Sequence, residues 1–153
     1  MISGSVSAQE DVIPPNLIAF EFLPTTIDTS ASQQIITFTI RITDDLSGVT
    51  DGGTPSQVRF SSPSGNQLAS SVFSHTELVS GDNLDGIYVN SMTLPQYCER
   101  GTWQLEYILL IDNVGNSKWL RKGDINAMGF TTDFLVLGDN AFRVFLPNIQ
   151  TSP

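Results

Sequence analysis

Short runs in which apolar and polar residues alternate recur along the whole chain, and turn-forming residues separate them. The clearest is Gln34–Thr43, where Ile36, Phe38, Ile40 and Ile42 point one way and Thr37, Thr39 and Arg41 the other. A period of two is that of a strand with one buried face. The same pattern predicts strands over Leu17–Leu23, Gln57–Ser61, Ala69–Val79, Gly86–Leu94, Thr102–Asp112, Ser117–Lys122 and Thr131–Leu137. Within Thr102–Asp112, the residues Trp103, Leu105, Tyr107, Leu109 and Ile111 share one face. That face is expected to meet the apolar face of Gln34–Thr43 across a single core, because a one-residue slip would turn every apolar group outward. Pro24, Ser62-Pro63-Ser64-Gly65, Pro95 and Asn113–Asn116 supply the stops. Only Lys122–Met128 has room for a short turn of helix, and Gly123 weakens it. Strands so closely spaced, with Gly and Pro between them, predict an all-β fold, an antiparallel β-sandwich of about seven to nine strands. It is expected over residues 14–138, with a flexible segment at 1–13 and a last strand or linker at 139–153.

Composition narrows the class. A chain of 153 residues fits one domain and can bury a core without disulfides or metal. A hydrophobic share of 40% with nine Phe excludes disorder as the bulk reading. No apolar run approaches the length of a membrane-spanning helix. Sixteen acidic against seven basic residues give a net charge of −9. Nucleic acid and anionic membrane are therefore poor partners, since phosphate binding needs a basic stripe. A single Cys allows no internal disulfide, and no Cys/His cluster is present to hold zinc. Ser5-Val6-Ser7-Ala8-Gln9 has the small-x-small pattern of a signal-peptidase site; it is either the stub of a removed signal or a Ser-rich linker. Abundant Ser and Thr with scarce Lys favour a secreted or cell-surface location.

The acids are unevenly placed. If successive strands reverse direction, loops 44–56, 81–86 and 112–117 share one pole of the sandwich. They carry Asp44, Asp45, Asp51, Asp82, Asp85 and Asp112, together with Asn113 and Asn116. The opposite pole, with loops 24–33, 62–68 and 95–102, holds only Asp28 and Glu99, and Arg100 offsets one of them. Clustered Asp and Asn oxygens on Gly-containing loops suit a hard cation such as Ca2+, which takes six to eight oxygen ligands. Asp44, Asp45, Asp112, Asn113 and Asn116 are the candidate ligands. The competing reading is that Asp, Asn and Gly are simply the commonest turn residues.

Little else in the sequence carries chemistry. His75 is the only His, it lies mid-strand by pattern, and no G-x-S-x-G elbow accompanies it. Cys98 reads as a small packed side chain, and Glu21, Glu77 and Glu106 form no recognisable carboxylate pair. No catalytic residue is assigned. Trp103 is expected in the core, whereas Trp119, between Lys118 and Leu120, is the candidate for an exposed ligand-binding aromatic. Tyr88 and Tyr97 are candidates to extend such a platform.

Four motifs in order are shared with a known family. Thr43-Asp44-Asp45-Leu46-Ser47-Gly48-Val49 resembles the D-x-SGV turn of bacterial Ig-like domains, and Leu110-Ile111-Asp112-Asn113-Val114-Gly115-Asn116 their D-x-x-GN turn after an aromatic-rich strand. Pro14-Pro15 resembles their entry, and Ser61–Gly65 a mid-domain turn. The resemblance covers residues 14–122. It implies an Ig-like, cadherin- or fibronectin-III-like, sandwich in a secreted or surface bacterial protein. The implied role is a non-catalytic structural or adhesive module, stabilised by Ca2+ in some members. Its expected partners are neighbouring domains of a larger protein, or surface glycans or proteins. The alternative is a carbohydrate-binding or accessory module appended to a secreted hydrolase. Residues beyond 122 exceed a minimal module of this kind, which leaves their strand pairing open.

Overall fold

In a computed structural model, residues 8–138 are described. Their strands are β1 (Asn16–Leu23), β2 (Thr26–Asp28), β3 (Gln34–Thr43), β4 (Ser56–Ser61), β5 (Leu68–Phe73), β6 (Leu78–Gly81), β7 (Asp85–Leu94), β8 (Gly101–Ile111), β9 (Ser117–Arg121) and β10 (Asp133–Leu137). A short 3-10 turn, His75–Glu77, joins β5 to β6, and helix α1 (Lys122–Ala127) lies between β9 and β10. The strands form two sheets. One has the order β1-β3-β7-β6, the other β2-β10-β8-β4-β5, with β9 also paired to β8. Every pairing is antiparallel except that of β2 with β10. The chain is an all-β sandwich. The tail strand or linker expected at 139–153 lies outside the described residues.

Among the described residues ten strands form, close to the seven to nine expected, and the additional ones arise where the chain changes sheets inside stretches that alternation alone cannot divide. Ala69–Val79 is not one strand. β5 pairs with β4, the backbone turns at His75–Glu77, and β6 pairs with β7 on the other sheet. Glu77 fixes the turn by accepting a 2.8 Å bond from the Ser74 amide. Asn90 Nδ2 then donates to Val72 O at 2.7 Å, and Ser71 Oγ to Ser91 O at 3.1 Å, closing that side of the sandwich. The other side closes likewise: after Pro24 the chain leaves the β1 sheet and β2, expected as loop, adds to β10. The residues beyond 122 also find their place. β9 lies along Tyr107–Ile111 and β10 along Gly101–Gln104, so both share one edge of β8, with α1 between them burying Ile125.

Ile36, Phe38, Ile40 and Ile42 are fully buried, as their alternation predicts. Phe38 on β3 meets Phe22 at 5.7 Å and Phe60 of the opposite sheet at 6.0 Å between ring centroids. From Phe60 the aromatic contacts continue to Phe134 at 5.1 Å and Trp103 at 5.7 Å. The expectation for β8 holds only for its first half. Phe60 pairs with Leu105 but Arg59 with Tyr107, so Glu106 is an extra residue, a β-bulge. Beyond it the parity reverses. Ile108 and Leu110 join Trp103 and Leu105 in the core; Tyr107 and Leu109 are buried outside that cluster, and Ile111 is half-buried.

Candidate functional site

The three acidic loops meet at one pole. Asp44 N donates to Leu84 O at 2.8 Å, Val49 N to Asn83 O at 2.9 Å and Asn113 N to Gly48 O at 2.9 Å. Val49 also bridges to Asp112. β1 starts at this end too, because Asn16 pairs with Thr43 at the end of β3. The segment ahead of β1 therefore runs across the pole and brings in Asp11.

Asp44 anchors the turn that follows β3. It is only 8% exposed, and its Oδ2 accepts from Gly48 N at 2.7 Å and Leu46 N at 3.2 Å. This four-residue loop needs Gly48, whose φ is +89° and whose Cβ position is filled by the Asn83 side chain. The other Asp44 oxygen, Oδ1, is buried with no hydrogen-bond partner. Burial, and then the charges of Asp11 and Asp112, push the Asp44 carboxyl above its ordinary value, against the two amide bonds that lower it. Asp45 is exposed at the rim. One carboxylate oxygen from each of Asp11, Asp44 and Asp45 lies within 4.8 Å of the others.

Asp11 is the residue that sequence reasoning missed. Its Oδ2 accepts from Ser47 N at 2.8 Å, and its Oδ1 from Ile13 N at 3.2 Å. Asn116 Nδ2 donates to the Asp11 carbonyl at 3.1 Å. Within the 1–13 stretch expected to be flexible, Asp11 is fastened to the pole. The signal was available, since the strand count that gathers the ends of β3 and β8 also sets the start of β1 beside them.

Of the remaining candidate ligands, Asp112 is buried and engaged. Its Oδ1 accepts from Asn116 N at 2.8 Å and Val114 N at 3.0 Å, and its Oδ2 from Asn116 Nδ2 at 2.7 Å. Asn113 ties the loops together: Oδ1 accepts from Asp51 N at 2.9 Å, and Nδ2 donates to Ser47 O at 2.9 Å. Asn116 donates to both Asp112 and Asp11. Asp82 and Asp85 act elsewhere at the same end. Asp82 Oδ1 caps its own turn, accepting from Leu84 N at 2.9 Å, and Asp85 pairs with Arg41 at 2.7 Å. Asp82, Asp85 and Asp112 are thus engaged by turns or by Arg41, whereas Asp44 keeps one buried oxygen without a donor beside Asp11 and Asp45.

The other chemistry-bearing residues are dispersed. His75 is exposed on the 3-10 turn, not mid-strand. Cys98 is buried with its thiol 3.7 Å from Thr29 Oγ1, and burial pushes its pKa up. Glu21 projects from the outer surface of β1, while Glu106 pairs with Arg59 at 3.1 Å on the other sheet. Trp103 is buried and donates Nε1–H to Glu99 O at 2.7 Å.

Trp119 is 49% exposed and lies against Tyr107, with ring centroids 4.8 Å apart at 60°. Arg121 lies 5.3 Å over the Trp119 ring, and Arg59 5.6 Å from that of Tyr107. The β8 bulge creates this contact by turning Tyr107 to the outer face of its sheet, where it is still only 8% exposed. Tyr88 cannot extend it, being fully buried, and Tyr97 sits at the opposite pole, where its amide donates to Thr29 O at 3.0 Å.

The sequence pattern of one protein family, described as "Domain of unknown function (DUF7035)", matches residues 10–142, and the chain belongs to that family. The matched stretch includes Asp11 as well as both acidic turns. No curated protein and no solved structure matches the chain.

Proposed function

We propose that this chain is a non-catalytic Ig-like module of a secreted or cell-surface protein, serving structure or adhesion. The observation that carries this reading is strand order. Labelled along the chain, the sheets β1-β3-β7-β6 and β10-β8-β4 follow the A-B-E-D and G-F-C orders of immunoglobulin-type sandwiches. β2 and β5 extend the second sheet at its two edges. The chain departs from antibody domains in its single Cys and in carrying its buried Trp103 on the sixth of these seven strands rather than the third. Sandwiches of this order host many roles, so the module role rests on the turn motifs around Asp44 and Asp112 as well as on the strands. Its partners would be adjoining domains, or proteins or glycans of a cell surface. Among the described residues no helix is long and apolar enough to cross a membrane.

The Trp119–Tyr107 patch favours a second reading, a carbohydrate-binding or accessory module. A half-exposed indole beside two guanidinium groups offers an apolar face for a sugar ring with hydrogen-bond donors at its margin. Tyr107 is buried, so Trp119 alone presents its ring to solvent. One measurement tests the non-catalytic claim that both readings share, and a second separates them. The purified chain should hydrolyse no ester, peptide or glycoside above background, and turnover abolished by His75→Ala would overturn the non-catalytic claim. On a glycan array the module reading expects any retention to survive Trp119→Ala. Retention lost in Trp119→Ala, with unfolding unchanged, would establish the second reading instead.

A further inference from the structure

The acidic pole contains an imbalance that turn closure does not explain. Asp112, Asp82 and Asp85 each have partners for their charge or their lone pairs. Asp44 does not. It is more than nine-tenths buried, and Oδ1 is left without a donor. A buried, unpaired carboxylate oxygen is costly, and crowding by further carboxylates makes it more so. Asp11 and Asp45 do crowd it, each placing an oxygen within 4.8 Å. No Lys, Arg or His donates to Asp44 among the described residues. Ser47 Oγ, on the same turn, is also buried without a partner.

We propose that Asp11, Asp44 and Asp45 hold a Ca2+ ion, and that this ion staples the segment ahead of β1 to the loop after β3. Three carboxylates that each place an oxygen within 4.8 Å of the other two can close on one hard cation, and Ca2+ accepts an irregular oxygen set where Mg2+ demands octahedral geometry. One oxygen from each Asp gives three ligands; bidentate contacts, Ser47 Oγ and water supply the remainder of a set of six to eight. Asp112 contributes through position. It fixes Asn116, which in turn holds the Asp11 backbone. The consequence is mechanical. The entry segment and the β3–β4 loop become one rigid end, through which force or orientation passes into the sandwich. This inference is independent of the adhesive reading, since a spacer, an adhesin and a sugar-binding module would each have the same site.

The test is thermal unfolding of the full chain in chelator and then in Ca2+, with calorimetric titration beside it. Wild type should gain in Tm with Ca2+ concentration, as a ligand specific to the native state requires. Mg2+ at equal concentration should do less. Asp44→Asn is the informative variant, because its amide oxygen still accepts from Leu46 and Gly48 while its NH2 can donate to Asp11 or Asp45. In chelator it should melt at or above the wild-type temperature, and the Ca2+ gain should vanish. Asp11→Asn should also lose the gain, whereas Asp51→Asn, on the same pole outside the trio, should keep it. A glutamyl endopeptidase should cut after Glu10 at least tenfold more slowly when Ca2+ is bound. Identical melting in Ca2+ and chelator, or a Ca2+ gain retained by both Asp44→Asn and Asp11→Asn, would overturn the site. Unaltered cleavage at Glu10 with Ca2+ bound would overturn the staple.

Discussion

Phe38→Ala is the perturbation whose cost the packing fixes most closely. The Phe38 ring is fully buried on β3. Around it stand Phe22 at 5.7 Å, Phe20 and Phe60 at 6.0 Å and Phe73 at 6.4 Å. Those neighbours come from β1, β4 and β5, so this one ring joins both sheets. Truncation loses the transfer energy of the ring and leaves a cavity, together about 3–5 kcal/mol for Phe→Ala. Lost aromatic pairs add about 0.5–1.5 kcal/mol each when their geometry is good. The four neighbours are held by paired strands and cannot collapse into the space, which places the loss in the upper half of the range, about 4–5 kcal/mol. For a chain of this size that is a fall in Tm of roughly 10–20 °C. Thr39→Ala, one residue away on the exposed face, should change stability by less than about 0.5 kcal/mol. Urea unfolding followed by circular dichroism measures both, as a shift in midpoint at constant slope. Phe38→Leu, which keeps part of the volume, gives an intermediate value if the Ala variant fails to fold. A Phe38→Ala loss below about 1.5 kcal/mol, or a comparable loss for Thr39→Ala, would refute the assigned core face.

Three further outcomes follow from single groups. Tyr88 is buried with an unpaired hydroxyl and a pKa pushed up to about 12 by burial and then Asp82. Its unfolded form ionises first, so stability is lost as pH rises above 10, by roughly 2 kcal/mol at pH 12. Tyr88→Phe should remove that alkaline slope and gain about 1 kcal/mol at neutral pH, both read from urea unfolding against pH. Gly48→Ala should cost about 2–3 kcal/mol, because a positive φ and the Asn83 side chain both oppose a Cβ; Gly115→Ala, with φ +95° and open space, should cost about 1 kcal/mol. The Cys98 thiol should react with an aromatic disulfide reagent only as fast as the chain opens, and rapid labelling of the native protein would contradict its burial.

Much of the sandwich was legible because half-buried strands write their faces directly into the sequence. Gln34–Thr43 is the plainest case, with its four apolar side chains inward at the predicted register. What escaped reading was everything that depends on a partner strand. The bulge at Glu106 exists because Phe60 and Arg59 oppose Leu105 and Tyr107, and nothing within β8 itself announces it. The turn at His75–Glu77 and the departure of β2 are likewise decisions about which sheet to join, to which alternation is blind. At the acidic pole, reversing strands placed Asp44, Asp45 and Asp112 together, and the hydrogen bonds between their loops agree. Which carboxylates are spent on turns was not legible, because an Asp that caps its own loop and an Asp that faces a neighbour look alike in sequence. Asp11 lay before the first predicted strand, in a stretch assigned to a flexible segment. The direction of β1 nevertheless carries it to the pole.

Whether that pole is a binding site or only a set of turns is decided by an amide NMR titration of the chelated, isotope-labelled chain with Ca2+. A bound ion should give saturable shifts confined to Asp11, Val12, Ile13 and the Asp44–Gly48 turn, with a smaller response in Asp112–Asn116, while the amides of Thr29, Ser64 and Tyr97 at the opposite pole stay still. A spectrum unchanged by Ca2+, or shifts spread evenly over all exposed carboxylates, would contradict it.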